Sequence, residues 1–66
     1  VNVQLNGANH VLSDNANVAD AVSALTAAER GVAVALNGEV VPRTEWQSTR
    51  LREGDRLEVL TAKQGG

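Results

Sequence analysis

Arg56-Leu57-Glu58-Val59-Leu60-Thr61 is the stretch on which the fold turns. Leu57 and Val59 alternate with Glu58 and Leu60, the period-two pattern of a strand with one buried face. Glu53-Gly54-Asp55, just before it, reads as a tight turn. The strands upstream are already paired in hairpins, so this last one must join a sheet that the others make. Setting it in the middle, beside the first strand, buries the most apolar side chains.

Working back along the chain gives the other elements of that sheet. Val1-Asn2-Val3-Gln4-Leu5 alternates in the same way and sends Val1, Val3 and Leu5 inward. Asn6-Gly7 predicts a two-residue hairpin turn, because both residues accept a positive φ. A short return strand follows from about Asn9 to Leu12, and His10 on it reads as a surface residue. Asn17 is suited to cap a helix beginning at Val18, with Asp20 placed to favour its positive end. Val18, Ala21, Val22 and Leu25 fall on one apolar stripe at helical spacing. Arg30 and Gly31 are expected to mark the helix's end.

Val32-Ala33-Val34-Ala35-Leu36 predicts another strand, with the large residues inward and Ala33 and Ala35 outward. Asn37-Gly38 repeats the hairpin signal, Glu39-Val40-Val41 returns, and Pro42 stops the strand. Thr44 is placed to cap a short helical turn, and Trp46, the sole aromatic, to plug the end of the core. Leu51 is the next inward anchor. The expected fold is therefore α+β: a mixed five-stranded sheet with one main helix packed on one face, the β-grasp or ubiquitin-like arrangement. Residues 1–61 form this domain, and residues 62–66 form a flexible C-terminal tail ending in Gly-Gly.

Composition narrows the function. With no cysteine, disulfides, thiolate metal sites and cysteine nucleophiles are excluded. A single histidine and no gathered carboxylates leave neither a metal site nor a nucleophile and base pair, which sets aside the enzyme class. The 42% apolar content is Ala, Val and Leu with one Trp, so the core must be aliphatic. A net charge of −2, with basic and acidic residues interleaved, offers no stripe for phosphates and argues against nucleic acid. No apolar run approaches the roughly 20 residues of a membrane span, so the chain reads as cytoplasmic; when free it is expected to be a monomer.

Gln64-Gly65-Gly66 is a nearly side-chain-free arm ending in a carboxylate. Taken by itself such an end is either frayed or functional. Glycine would let it thread a narrow channel and approach a reacting group with no β-carbon in the way. Ala33 and Ala35, with Glu58 and Leu60, occupy the face away from the helix, where a sheet covered on one side normally shows polar residues. They form a candidate partner-binding surface.

The chain resembles, over its whole length, the ThiS family, the small sulfur carrier proteins of thiamine biosynthesis. The resemblance is carried by Val3 to Gly7, by Val32 to Arg43 with Trp46 after it, by Gly54 to Val59, and by Gln64-Gly65-Gly66. The helix departs from such carriers in having Ala21 where they more often have Leu, and Lys63 stands where they commonly have an apolar residue. The resemblance implies a protein cosubstrate rather than a catalyst. An E1-like, ThiF-type adenylyltransferase using ATP and Mg would adenylate Gly66. Sulfur derived from a cysteine desulfurase would then give a thiocarboxylate, which a ThiG-type thiazole synthase consumes. Gly65 and Gln64 would serve as the tail, and the chain would bind no cofactor itself. The alternatives are the related carrier for molybdopterin synthesis and a non-catalytic ubiquitin-like interaction module or modifier.

Overall fold

The computed structural model describes residues 1–26 and 30–61. Strands β1 (Asn2–Leu5) and β2 (Ala8–Val11) form the first hairpin, followed by helix α1 (Val18–Leu25). Strands β3 (Val32–Leu36) and β4 (Glu39–Val40) form the second hairpin, a short 3-10 turn spans Arg43–Glu45, and β5 (Arg56–Thr61) ends the described chain. The sheet order is β2-β1-β5-β3-β4, with β5 parallel to β1 and antiparallel to β3. The last strand thus lies in the centre, and the fold is the expected β-grasp.

The two hairpins turn as their sequences dictate. Asn6 and Gly7 have φ of 52° and 83°, and Asn37 and Gly38 have 51° and 85°. Positive φ at both central residues is the type I′ geometry, whose twist matches that of paired strands. Each turn also grips the central strand. Backbone pairing of β1 with β5 runs only through Gln4↔Arg56 and Leu5↔Leu57. Beyond it, the Asn6 side chain acts as a further rung: Oδ1 accepts from Val59 N at 2.7 Å and Nδ2 donates to Val59 O at 3.1 Å. On the other side, Asn37 N donates to Arg56 O at 2.8 Å and its Oδ1 accepts from Arg56 N at 3.0 Å. Asn37 Nδ2 also reaches Asp55 Oδ1 at 3.1 Å.

The turn leading into β5 is equally well tied. Gly54 has a φ of 85°, Asp55 N donates to Arg52 O at 3.1 Å, and Asp55 Oδ2 accepts from Arg52 N at 2.7 Å. Asn2 N donates to Glu53 Oε1 at 2.9 Å, and this bond holds the Glu53 carboxyl below its ordinary pKa. A depressed carboxylate contributes stability above its unfolded pKa and loses it as pH falls through the folded value.

Helix α1 starts with a reciprocal capping box. Asp20 N donates to Asn17 Oδ1 at 2.9 Å, and Asn17 N donates to Asp20 Oδ2 at 3.0 Å. Its end differs from the expectation. The helix stops at Leu25, with Thr26 extended at φ −152° and ψ 148°, and no basic residue lies in the last turn. The apolar stripe ends at Leu25, and β-branched Thr26 disfavours another turn. Gly31, with φ 68°, instead stands just before β3. The 3-10 turn is preceded by Pro42 and has no side-chain cap, so Thr44 does not cap it; the fixed φ of Pro42, −61°, supplies the start instead.

Val3, Leu5, Val18, Val34, Leu51 and Leu57 are the largest fully buried side chains. Each contributes about 1.5–3 kcal/mol relative to an exposed position. Trp46 closes the end of this core as expected, donating its Nε1 to Val41 O at 2.9 Å. Leu51 N donates to Ala16 O and Val18 N donates to Thr49 O, which fixes the loop after Trp46 to the start of the helix. His10 sits opposite Val3 on the edge strand and is half-buried rather than on open surface, because the hairpin register turns it toward the helix side.

The Asn6 clasp has a measurable contribution. Asn6→Ala leaves both Val59 backbone groups without their partner and puts at positive φ a residue that tolerates it less well than asparagine. We expect urea denaturation to show a loss of about 2–3 kcal/mol. Asn6→Gly keeps the turn geometry and should lose about 1 kcal/mol less.

Candidate functional site

One face of the sheet packs on α1, and strict alternation along the strands decides what the other face presents. In β5, Leu57 and Val59 are buried, while Glu58 and Leu60 are exposed. The β3–β5 register sets Ala33 opposite Leu60 and Ala35 opposite Glu58. The four residues expected to form a partner surface therefore share one face and are direct neighbours across two strands. Ala33 is exposed, Ala35 is half-buried, and Leu60 keeps 69% of its surface in solvent.

The surface extends further than those four. Val40 pairs with Ala35 on β4 and is 78% exposed, which completes an apolar patch of Ala33, Ala35, Val40 and Leu60. Its membership was readable in the sequence. A two-residue Asn-Gly loop fixes Leu36 against Glu39, and hence Ala35 against Val40. Val11, 75% exposed and paired with Asn2, lies on the same face two strands away from the patch's Leu60. An exposed cluster of apolar side chains rimmed by polar ones is the usual signature of a contact surface.

The polar rim lies toward the start of β5. A groove of about 510 Å³ runs between the two Asn-Gly turns, lined by Gln4, Asn6, Asn37, Arg56, Glu58 and Leu60 among others. The face is therefore graded from Gln4 and Arg56, which pair across β1 and β5, to Leu60 beside Ala33. Thr61, paired with Val32, is the last described residue and follows Leu60 at the apolar end. Gln64, Gly65 and Gly66, the expected reactive arm, lie outside the described residues, as does Lys63. The arm's sequence thus continues from the apolar end of the face.

Among the described residues, no three His, Asp or Glu side chains gather to hold a metal ion. No helix among them is long and apolar enough to cross a membrane.

The comparisons with known proteins agree with this geometry. The model of the ThiS family matches residues 2–66, which includes the Gly-Gly end. The crystal structure of the thiamine biosynthesis protein ThiS from Geobacter metallireducens is similar with a TM-score of 0.78 and 35% identity, covering 100% of both chains. The solution NMR structure of a thiamine biosynthesis protein from Geobacter metallireducens is similar with a TM-score of 0.80 and 35% identity, covering 100% of this chain and 88% of that one. None of the curated proteins compared matches the chain. A family match that runs nearly end to end, on a β-grasp sheet shared with solved ThiS structures, leads to one conclusion: this chain belongs to the ThiS family.

Proposed function

We propose that this chain is a sulfur carrier of thiamine biosynthesis, acting through the carboxylate of Gly66. The observation that carries the reading is the family match over residues 2–66, which takes in both the sheet and Gln64-Gly65-Gly66. That the similar solved structures are of thiamine biosynthesis proteins favours this pathway over molybdopterin synthesis.

The chemistry asks little of the carrier itself. A resting carboxylate is a poor acyl donor, because its leaving group would be an oxide. A ThiF-type adenylyltransferase with ATP and Mg would join the Gly66 carboxylate to AMP, releasing pyrophosphate. The outer sulfur of a cysteine persulfide would then displace AMP to give an acyl disulfide, and a second thiol would cleave its S–S bond, forming a new disulfide and releasing the thiocarboxylate that supplies a ThiG-type thiazole synthase. Glycine at positions 65 and 66 keeps the approach to the α-phosphate clear of side chains. The folded domain would serve as the handle, with Ala33, Ala35, Val40, Glu58 and Leu60 as the surface that both partners recognise.

Intact mass tests the carrier chemistry. With the adenylating enzyme, ATP, Mg and a sulfur source, the protein's mass should rise by one exchange of oxygen for sulfur, and deletion of Gly66 should abolish the change. An unchanged mass, with the enzyme shown active on another carrier, would contradict the proposal. Growth should be rescued in a thiazole auxotroph and not in a molybdenum-cofactor mutant.

The docking face has its own test. Ala35→Glu should abolish capture by the adenylating enzyme. It also sets a second carboxylate directly opposite Glu58, which costs roughly 0.2–1 kcal/mol of stability. Ala33→Glu, opposite Leu60 and exposed, avoids that penalty and should lose capture with unchanged folding. Retained binding in both variants would remove this face from the account.

A further inference from the structure

The chain contains the same tripeptide twice, Leu5-Asn6-Gly7 and Leu36-Asn37-Gly38, in the same type of turn with φ values matching to within a few degrees. Asn-Gly is the dipeptide in which a backbone nitrogen most readily attacks the preceding side-chain amide, because glycine has no β-carbon to obstruct the approach. Gly7 and Gly38 are both exposed, and an ideal β-carbon on either would meet nothing within 4 Å. The two sites therefore share local sequence and backbone conformation. They differ in what holds the asparagine amide.

Asn6 is held by a half-buried pair of bonds, both to the backbone of Val59 inside the sheet. Releasing its amide means parting Asn6 from the central strand. Asn37 is held by exposed bonds, and the partner of its Nδ2 is the side chain of Asp55 in a turn, not a strand backbone. Freeing its amide breaks one solvent-exposed bond to the strand, from Arg56 N to Oδ1, but leaves the Asn37 N to Arg56 O bond in place.

We propose that Asn37 is a deamidation site of the folded protein, while the fold protects Asn6. The Gly38 nitrogen loses its proton to hydroxide and bonds to Cγ of Asn37. The Cγ–Nδ2 bond breaks, and ammonia leaves with a proton from water. Water then opens the five-membered imide at either carbonyl, giving aspartate or isoaspartate, with no oxidant or reductant required. The product matters for the surface described above. Aspartate at position 37 faces the carboxylate of Asp55 across the present 3.1 Å contact. Isoaspartate lengthens the turn that sets Val40 against Ala35.

The matched tripeptides supply an internal control. The full chain is incubated at mildly alkaline pH, natively and in urea, and conversion at each asparagine is followed by peptide mass mapping. In urea the two sites should convert at nearly equal rates. Natively, Asn37 should convert at least several-fold faster than Asn6. Equal native rates, a faster Asn6, or no native conversion at Asn37 while the urea sample runs to completion would each overturn the proposal. Asn37→Asp reproduces one product directly and should melt several degrees below Asn37→Gly, which keeps the positive φ and adds no charge. Equal melting of the two variants would overturn the assigned consequence.

Discussion

The central strand is parallel to one neighbour and antiparallel to the other, and its hold on the parallel neighbour is thin. Backbone pairing of β5 with β1 stops after Leu57, yet Val59 and Leu60 must stay in the sheet for the outer face to exist. The Asn6 amide supplies the missing rung with one acceptor and one donor at the height of Val59. Asn37 does the corresponding work at Arg56 on the other side. The two turns that reverse the hairpins are thus also the clamps on the strand between them. Asparagine suits both tasks, since it tolerates positive φ and carries a side chain that copies a peptide group.

A domain of this size has apolar residues for one core, and α1 with the loop around Trp46 and Leu51 covers only one side of the sheet. The other side is left to alternation. On most such sheets it would be polar, yet here β3 offers alanine, β4 offers valine and β5 offers Leu60. These residues contribute little to folding, since Val40 and Leu60 remain mostly in solvent. Under the proposed function, this apolar face is the surface that the partners recognise.

Much of this was legible in the residues. Period-two alternation placed Leu57, Val59, Glu58 and Leu60 on their correct faces, and the repeated Asn-Gly pairs located both turns. The Asn17 and Asp20 spacing located the start of the helix. Its end was not legible, because Arg30 and Gly31 are good terminal residues for a helix that had already stopped at Leu25. Thr44 misled in a similar way: a residue with capping chemistry does not cap when proline ahead of it already fixes the backbone. The clasp of Asn6 on Val59 was hidden for a different reason. It joins residues far apart in sequence, and no local pattern records which strand a turn will touch. Val40 belonged to the outer face by register alone, which required counting across the hairpin.

The central claim is that Gly66 carries sulfur in the cell. The most direct measurement is the intact mass of the protein taken straight from cells growing without supplied thiamine. A sulfur carrier should show a fraction heavier by one exchange of oxygen for sulfur, localised to the C-terminal glycine by fragmentation. A population that is entirely carboxylate under those conditions, or one whose C-terminus is joined to lysines of other proteins, would contradict it.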